Sequence, residues 1–202
     1  MLDCVKNNLQ VISSLLFLQS SYIKDEKTLE IFRESQTRIS SIALIHEKLY
    51  RSEDLAKVDF RDYVRDLTVE LFRTYSVNQK AVVLNTHIGG VFLQIDTAIP
   101  CGLIINELIS NALKHAFPSG RQGEVNLSLT QADDDFFHLI VHDNGVSLPK
   151  DFDWRTTKSF GLRLVMDLTM QMDGEIELDT SNGTMFNIIF KDMANPESEV
   201  LL

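Results

Sequence analysis

The sequence predicts an α+β protein in which an N-terminal helical hairpin is followed by an α/β sandwich. Residues 5–50 carry apolar side chains at three- and four-residue spacing, the period of amphipathic helices. Residues 82–95, 124–141 and 176–190 instead alternate apolar and polar side chains, as strands do. A central helical pattern at residues 104–115 separates the first group of strands from the rest.

Length and composition limit the classes of protein that fit. The chain has 202 residues, of which 44% are hydrophobic and 24% charged, as is typical of a folded globular protein. Its formal net charge of −10 argues against nucleic acid as the main partner. That charge is still compatible with a local basic pocket for phosphate.

The cysteines and the hydropathy predict a cytoplasmic location. Cys4 and Cys101 lie far apart without the spacing of metal ligands, so we expect reduced thiols, with Cys101 in the core. No apolar run approaches the ~20 residues of a membrane span. Polar residues 6–8 interrupt any signal peptide, and we expect no membrane contact from this stretch of chain.

Two helices joined by a short polar corner make up the first part of the chain. Each has an apolar seam: Val5, Leu9, Ile12, Leu16 and Ile23 in the first helix, and Leu29, Phe32, Ile39, Ile42 and Leu49 in the second. Because two helices cannot hide this much apolar surface, we expect a homodimer through residues 3–50, forming a four-helix bundle. The alternative is that the hairpin packs on its own second domain.

The second domain is expected to follow a hinge at residues 51–54. The predicted divisions are therefore the hairpin, the second domain and a frayed tail: residues 1–54, 55–193 and 194–202. Asp59 is expected to cap a helix over 60–76. Alternation on both sides of Gly89-Gly90 predicts a β-hairpin.

The rest of the second domain is expected to complete a sheet with helices on one face. Asp96 or Thr97 would cap the central helix, with Pro100 in its first turn. Asp133-Asp134-Asp135 is expected to be a solvated turn. The further predicted elements are strands over 124–130 and 137–141, a helix over 160–173, and a closing hairpin with a two-residue turn at Asn182-Gly183.

The central helix carries four polar side chains on one face. Glu107, Asn111, Lys114 and His115 stand at i, i+4, i+7 and i+8, opposite an apolar side. They suit a magnesium-bound polyphosphate: an amide oxygen for the metal, basic groups for phosphate, and a carboxylate to hold or deprotonate a hydroxyl or water. For one helix alone, a charged surface stripe is the alternative. Two glycine-bearing segments downstream favour the phosphate site.

The first of these segments is Asp143-Asn144-Gly145, at the end of a predicted strand. The Asp143 carboxylate can accept a hydrogen bond from an exocyclic amine, and Gly145 allows a flat base to approach the backbone. For Asp143 alone, ordinary turn chemistry is the alternative.

The second segment, Ser159-Phe160-Gly161-Leu162, begins a helix whose free N–H groups attract phosphate. Arg163 either adds a phosphate contact or is a solvated surface arginine. Some fifteen residues separate Gly145 from Gly161 and would fold over the phosphates as a lid. We expect the ligand between the helices and this lid, on the face away from the sheet.

Together these motifs match a known family. The second domain resembles the ATP-binding domain of sensor histidine kinases, of the GHKL (Bergerat) type shared with gyrase, Hsp90 and MutL. Its N, G1 and G2 boxes correspond to residues 107–111, 143–145 and 159–162. Residues 5–16 and 46–50 are similar to the dimerisation and phosphoacceptor hairpin of the HisKA_2 class, relatives of the HWE kinases. The resemblance covers roughly residues 3–191.

The resemblance implies an ATP-dependent protein-histidine kinase with ATP and Mg²⁺ as cofactors. Asn111 would hold the metal, Asp143 would bind adenine, and Glu107 would act as a base or orienting carboxylate. The remaining nucleotide contacts would come from Lys114, His115, Gly145, Ser159, Gly161, Leu162 and Arg163. The γ-phosphoryl group would pass to a histidine on the hairpin and then to a response regulator receiver domain.

Two positions depart from the family pattern. The class places its acceptor histidine before Arg-Val-Lys-Asn, whereas this chain has Asp3 at that position, and no histidine precedes His46. A carboxylate is a poor substitute for an imidazole nucleophile, so we expect ATP binding without autophosphorylation at the usual site. His46 is the alternative acceptor, although its place between Ile42 and Leu49 favours a packed histidine. Ser147 occurs where the G1 pattern often has a second glycine.

Three functions therefore fit the sequence. The first is the catalytic core of a histidine kinase, which the set Glu107, Asn111, Asp143 and Gly161 favours. The second is a non-catalytic dimeric pseudokinase or scaffold that docks a response regulator, which the missing acceptor histidine favours. The third is an ATPase that uses water or another protein as acceptor, against which the hairpin argues.

Overall fold

A five-stranded sheet covered by helices on one face, with a helical hairpin beside it, forms the fold. The computed structural model describes residues 2–51, 57–75, 81–132, 136–149, 152–157 and 159–193. Helices α1 to α5 are Leu2–Ser20, Glu26–Arg51, Phe60–Thr74, Ile95–Asn111 and Phe160–Gln171. Strands β1 to β7 are Lys57–Asp59, Val82–Ile88, Phe92–Gln94, Gly123–Gln131, Phe136–Asp143, Glu175–Asp179 and Thr184–Lys191. The predicted α+β class is confirmed.

The main sheet is mixed and has one buried face. Its strand order is β2-β4-β5-β7-β6, with β2 and β4 parallel and the other neighbours antiparallel. Alternate residues of the three central strands are buried in the core: Val125, Leu127, Leu129, Phe137, Leu139, Val141, Phe186, Ile188 and Phe190. The period-two pattern of the sequence therefore identified the face that the helices cover.

The predicted β-hairpin around Gly89-Gly90 is wrong. Strand β2 pairs with β4, while β3 pairs with β1 in a separate two-stranded sheet. Gly90 has a positive φ of 69°, and the amide of Gly89 donates to the carbonyl of Leu129. After this corner, β3 runs beside β1, the strand that leads into α3. At the start of α3, Asp59 Oδ1 accepts from the Arg61 amide at 2.9 Å, which confirms the predicted cap.

The start of α4 also differs from the prediction. The helix begins at Ile95, with Gln94 as its N-cap residue, so Pro100 lies beyond the first turn. Thr97 does not cap the helix, because its hydroxyl accepts a hydrogen bond from the Met193 amide at 2.7 Å. A contact with a residue 96 positions away decided the role of this threonine, and sequence spacing could not show it.

The turn that closes the last hairpin is longer than predicted. Strand β6 ends at Asp179 and β7 begins at Thr184, so four residues connect them instead of the two at Asn182-Gly183. Asp179 Oδ1 accepts from the Ser181 amide at 2.8 Å, an Asx turn that starts the connection early.

The second half of α2 packs into the core of the second domain. Ile45 and Leu49 are buried in the same apolar cluster as the residues of α3 and α4. Polar contacts join α2 to α3 as well: the hydroxyls of Ser41 and Tyr63 are 2.6 Å apart, and Lys48 Nζ lies 2.5 Å from an Asp66 carboxylate oxygen. Burial of the Tyr63 hydroxyl raises its pKa.

The predicted hinge and tail cannot be compared with the structure in full, because residues 52–56, 133–135 and 194–202 lie outside the described residues. The division at residue 54, the solvated turn at Asp133-Asp134-Asp135 and the frayed tail therefore stay predictions. Cys101 is fully buried, as expected of a core thiol, and burial raises its pKa. Among the described residues, none of the helices combines the length and hydrophobicity that a membrane span requires.

Candidate functional site

A cavity of about 750 Å³, part of it open to solvent, lies between α4, α5 and the sheet. Segments that are distant in sequence meet around it, namely the end of α4, the end of β5, the segment that follows β5, the start of α5 and the start of β7. The lining includes Asn111, His115, Asp143, Ser159 and Leu162, which were all predicted from the sequence.

Asp143 lies at the bottom of this cavity with its side chain on the buried face of β5. It is the last residue of the strand, at an inward position of the alternation, and is 5% exposed. Its Oδ1 accepts from the Gly145 amide at 2.9 Å. Burial raises the pKa of the Asp143 carboxyl, although hydrogen bonds from Gly145 and Thr184 and the charge of His142 act in the opposite direction.

Two glycines allow the backbone to close around Asp143. A side chain at Gly145 would collide with Ala116, whose carbonyl accepts from the Val146 amide at 2.8 Å. Gly183 has a positive φ of 84°, and a Cβ there would overlap the Asp143 carbonyl. Gly145 thus serves close backbone packing, and its role beside a base stays a prediction. Gly183, predicted only as a turn residue, packs against Asp143 as well.

The segment between β5 and α5, the predicted lid, is fixed at one point by Trp154. This side chain is 8% exposed and meets the ring of Phe186 edge to face, with centroids 6.0 Å apart. Asp153 folds the segment locally by accepting from the Arg155 amide and the Thr156 hydroxyl. Leu148 and Phe152 from the same segment line the cavity.

The polar stripe of α4 divides between two neighbours. A π-helical turn, Ala112–Ala116, continues α4, and Asn111 and His115 line the cavity. Glu107 and Lys114 instead form ion pairs with side chains of α2. Other elements enclose α4 and the π turn. The side chains at these four positions therefore face two different neighbours, α2 and the cavity.

Four charged side chains form a partly buried cluster, which we call the Arg38 cluster: Glu34 and Arg38 of α2, Glu107 of α4 and Lys114 of the π turn. Arg38 Nε lies 2.7 Å from Glu107 Oε1, and Arg38 Nη2 lies 2.9 Å from Oε2. Lys114 Nζ lies 2.5 Å from Glu34 Oε1, and Arg38 Nη2 lies 3.3 Å from Glu34 Oε2. Each charge therefore has a partner of opposite sign.

The pKa values in this cluster follow from burial opposed by ion pairing. Burial alone would raise the pKa of Glu34, but the contacts with Lys114 and Arg38 outweigh it and hold that pKa below its usual value. Burial would lower the pKa of Lys114, but Glu34 outweighs it and raises that pKa. Both groups are therefore charged at neutral pH.

The start of α5 lies against Glu107. A Cβ on Gly161 would lie 2.6 Å from Glu107 Oε2 and 4.0 Å from Asn111 Nδ2, so this glycine permits the close approach of α5 to α4. Ser159 and Leu162 face the cavity on either side of it. Arg163 is exposed and is not among the residues that line the cavity, so its phosphate contact stays a prediction.

The sequence missed several residues of the cavity and two of the charge cluster, Glu34 and Arg38. Thr184 and Phe186 line the cavity from β7, and the alternation of β7 did mark Phe186 as inward-facing. Arg38 had no sequence signal, because it lies 69 residues from Glu107.

The position of the cavity differs from the expected one. It lies between the helices and the sheet, with Val141, Asp143 and Phe186 of the strands in its wall, and not on the face away from the sheet. The reason is that Asp143 points to the helix side of β5, so a site built around it must include the sheet.

Two family models match the chain over most of its length. Residues 4–75 match HisKA_2, described as histidine kinase. Residues 97–194 match HATPase_c, described as histidine kinase-, DNA gyrase B-, and HSP90-like ATPase. The chain belongs to the histidine kinases of the HisKA_2 class, with a GHKL ATPase domain. The family resemblance found in the sequence is confirmed.

Relatives of this histidine kinase core include two sensor proteins. Sensor histidine kinase PdtaS of Mycobacterium tuberculosis is 33% identical over 175 residues, which are 85% of this chain and 34% of that protein. Blue-light-activated histidine kinase 2 of Erythrobacter litoralis is 28% identical over 191 residues, 91% of this chain and 54% of that protein. The chain thus spans about a third of the first relative and about half of the second.

Solved structures share the fold of this histidine kinase core. The histidine kinase domain from Erythrobacter litoralis EL346 blue-light activated histidine kinase superposes with a TM-score of 0.73 at 23% identity, covering 95% of this chain and 90% of that one. Acinetobacter baumannii histidine kinase AdeS gives a TM-score of 0.56 at 16% identity, with 93% and 95% covered. At these identities the likeness shows the fold alone.

The buried carboxyl of Asp143 predicts a pH-dependent stability. Because the pKa of this group is raised in the folded state, the folded state binds its proton more tightly than the unfolded chain does. The free energy of unfolding therefore decreases as pH rises from the pKa of Asp143 in the unfolded chain, about 3.9, through its raised pKa in the folded state. We expect Asp143→Asn to be more stable than the unsubstituted chain at pH 7, with the gain disappearing towards pH 3.5.

Urea unfolding at both pH values measures this difference, and Asp167→Asn, at an exposed position of α5, is the matched control. A difference between Asp143→Asn and the unsubstituted chain that is independent of pH would contradict the assignment of a raised pKa.

Proposed function

We propose that this chain binds Mg·ATP in the cavity and is a catalytic core of the kind that passes a γ-phosphoryl group to a histidine and then to a response regulator, with Asp3 at its own acceptor position. The observation that carries the proposal is the meeting of Asn111, Asp143 and Ser159 around one cavity in a chain of the histidine kinase family. These residues come from three segments that the sequence separates by 32 and 16 positions.

The adenine end of the nucleotide is proposed to lie at Asp143. The buried carboxylate accepts from the Gly145 amide and from Thr184, and its remaining lone pairs leave acceptor capacity for an exocyclic amine. Apolar side chains suited to a flat base stand in the same wall, among them Val141, Leu148 and Phe186. The phosphates would then extend toward Ser159, where the N-terminal amides and dipole of α5 favour negative charge.

The donor set fits a magnesium ion held jointly by Asn111 and the nucleotide. No group of three or more His, Cys, Asp or Glu that could hold a metal occurs in the part of the chain that the structure describes. Magnesium commonly takes one or two protein oxygens and otherwise water and phosphate oxygens, so a single amide oxygen is sufficient. When bound, the ion would neutralise charge on the phosphates. Asn111 would orient it beside Gly161.

Asn111→Ala tests the metal and nucleotide together. We expect the unsubstituted chain to bind ATP more tightly with Mg²⁺ than without it, and Asn111→Ala to lose at least about tenfold of that Mg²⁺-dependent affinity, or ~1.4 kcal/mol. Isothermal titration with ATP, with and without Mg²⁺, gives both values. Asn85→Ala, on the exposed face of β2, should behave as the unsubstituted chain. Failure of the unsubstituted chain to bind ATP or ADP at millimolar concentration would refute the proposed function.

The acceptor step is proposed to be absent from this chain. Asp3 falls within α1 at the position where the family has histidine. His46 is a poor replacement, because its Nδ1 is buried away from solvent, without a hydrogen-bond partner among the described residues. The Asp3 position also favours the second candidate function, a dimeric pseudokinase that docks a response regulator without phosphorylating itself.

Asp3→His distinguishes a kinase that lacks only its acceptor from a pseudokinase. Incubated with γ-labelled ATP and Mg²⁺, the unsubstituted chain should gain no acid-labile phosphate, whereas Asp3→His should gain it. Glu107→Gln in the Asp3→His background should lose most of the label, because the proposed base is then neutral. Acid-labile phosphate on the unsubstituted chain would contradict the missing acceptor step, and silence of Asp3→His would favour the pseudokinase.

A homodimer through the hairpin is proposed on the basis of an exposed apolar stripe. The seam of α1 that contains Leu9 and Leu16 is half-buried beside α2. A second set at helical spacing is 55–86% exposed: Val11, Leu15 and Leu18 on α1, and Tyr22 in the turn that follows it. Two such stripes facing each other would complete a four-helix bundle, and transfer within or between protomers would both be possible in it.

Sedimentation equilibrium tests the dimer. We expect the unsubstituted chain to be dimeric at micromolar concentration and Val11→Glu/Leu15→Glu to be monomeric, because two carboxylates would be buried in the bundle. Gln10→Glu/Gln19→Glu adds the same charge at exposed positions of α1 outside the stripe and should remain dimeric. A monomeric unsubstituted chain would contradict the bundle.

A further inference from the structure

The Arg38 cluster connects the hairpin to the edge of the cavity. Arg38 lies on α2. Its Nε donates to Glu107 Oε1, and its Nη2 donates to Glu107 Oε2. Asn106 Nδ2 also donates to Glu107 Oε1 at 3.2 Å. These bonds hold the Glu107 carboxylate in one orientation, and two of them come from Arg38 in the N-terminal hairpin.

The same guanidinium reaches the start of α5. Its central carbon lies 4.8 Å from the ring centroid of Phe160, a cation–π contact. Gly161 follows directly and packs against Glu107 Oε2, where a Cβ would come within 2.6 Å. Arg38 thus contacts the two groups that flank Gly161, the Phe160 ring and the Glu107 carboxylate.

We propose that Arg38 is a positioning residue for the phosphate end of the nucleotide site, acting through Glu107. The inference rests on the proposed function and deepens it, since it makes α2 a component of the site. Arg38 fixes the Glu107 carboxylate, the carboxylate supports Gly161, and the amides at this start of α5 are the groups proposed to bind phosphate. A change in the position of α2 would reach the nucleotide by this route.

The chemistry of the contact requires arginine. Only a guanidinium presents two parallel N–H donors to a carboxylate while its flat face lies on an aromatic ring. Lysine at this position keeps the charge but offers a single ammonium, so it would hold Glu107 less firmly. Arg38 is 14% and Glu107 6% exposed in their side chains, so solvent cannot replace the pair when one partner is removed.

Arg33 offers a matched control on the same helix. It lies five residues before Arg38, is exposed, and carries the same charge. Arg33→Gln therefore changes the net charge and the composition of α2 as Arg38→Gln does, without touching the Arg38 cluster.

The experiment is isothermal titration of the full chain with Mg·ATP for Arg38→Gln, Arg38→Lys, Glu107→Gln, the double variant Arg38→Gln/Glu107→Gln, and Arg33→Gln. The stoichiometry reports the folded fraction, while the dissociation constant reports the geometry of the site. We expect Arg38→Gln to bind about tenfold more weakly at unchanged stoichiometry, and Arg38→Lys to bind with intermediate affinity. The double variant should bind no more weakly than the weaker single variant, because Arg38 acts through Glu107.

Each other outcome overturns the inference in an identifiable way. If Arg38→Gln and Arg33→Gln bind equally well, Arg38 does not position the site. A lower stoichiometry with an unchanged dissociation constant would assign Arg38 a purely structural role. Additive losses in the double variant would show that Arg38 acts independently of Glu107. If the unsubstituted chain does not bind Mg·ATP, the proposed function itself fails, and this inference fails with it.

Discussion

The enclosure of helix α4 is the constraint on which the rest of the structure depends. Thirteen of its seventeen residues are buried, because α2, α3, α5 and the sheet surround it. A polar side chain on such a helix must find a partner on whichever element it faces, since an unpaired buried charge costs several kcal/mol. Glu107 and Lys114 find theirs on α2, whereas Asn111 and His115 face the cavity.

The interface between α2 and α4 is more polar than a domain core usually is. In addition to the Arg38 cluster it contains Asn106, which donates to Glu107. Ser110 is also buried and lies one turn after Asn106 on α4. Asn106 Oδ1 and Ser110 Oγ have no hydrogen-bond partner among the described residues. An unsatisfied buried polar atom typically costs about 1–3 kcal/mol, so this interface is less stable than its apolar area implies.

The cavity, like the interface between α2 and α4, contains a buried polar group that lowers the stability of the fold. Asp143 is buried at a position where burial disfavours its charge, and Gly145 and Gly183 leave room for the backbone that surrounds it. Trp154 holds the connecting segment on Phe186 at the other side. An apolar residue at position 143 would fit the alternation of β5 equally well, so packing alone does not require a carboxylate there.

The sequence by itself determined most of the elements, the buried face of the three central strands and the motifs that meet at the cavity, because helix and strand periods are local properties. Periodicity also showed that Asn111, Asp143 and Ser159 belong to separate elements. Only the tertiary structure decided that β2 and β3 enter different sheets, that Thr97 binds Met193, and that Glu107 pairs with Arg38. These outcomes depend on partners 69 or more residues away or on the choice among competing strand edges, and no local pattern encodes them.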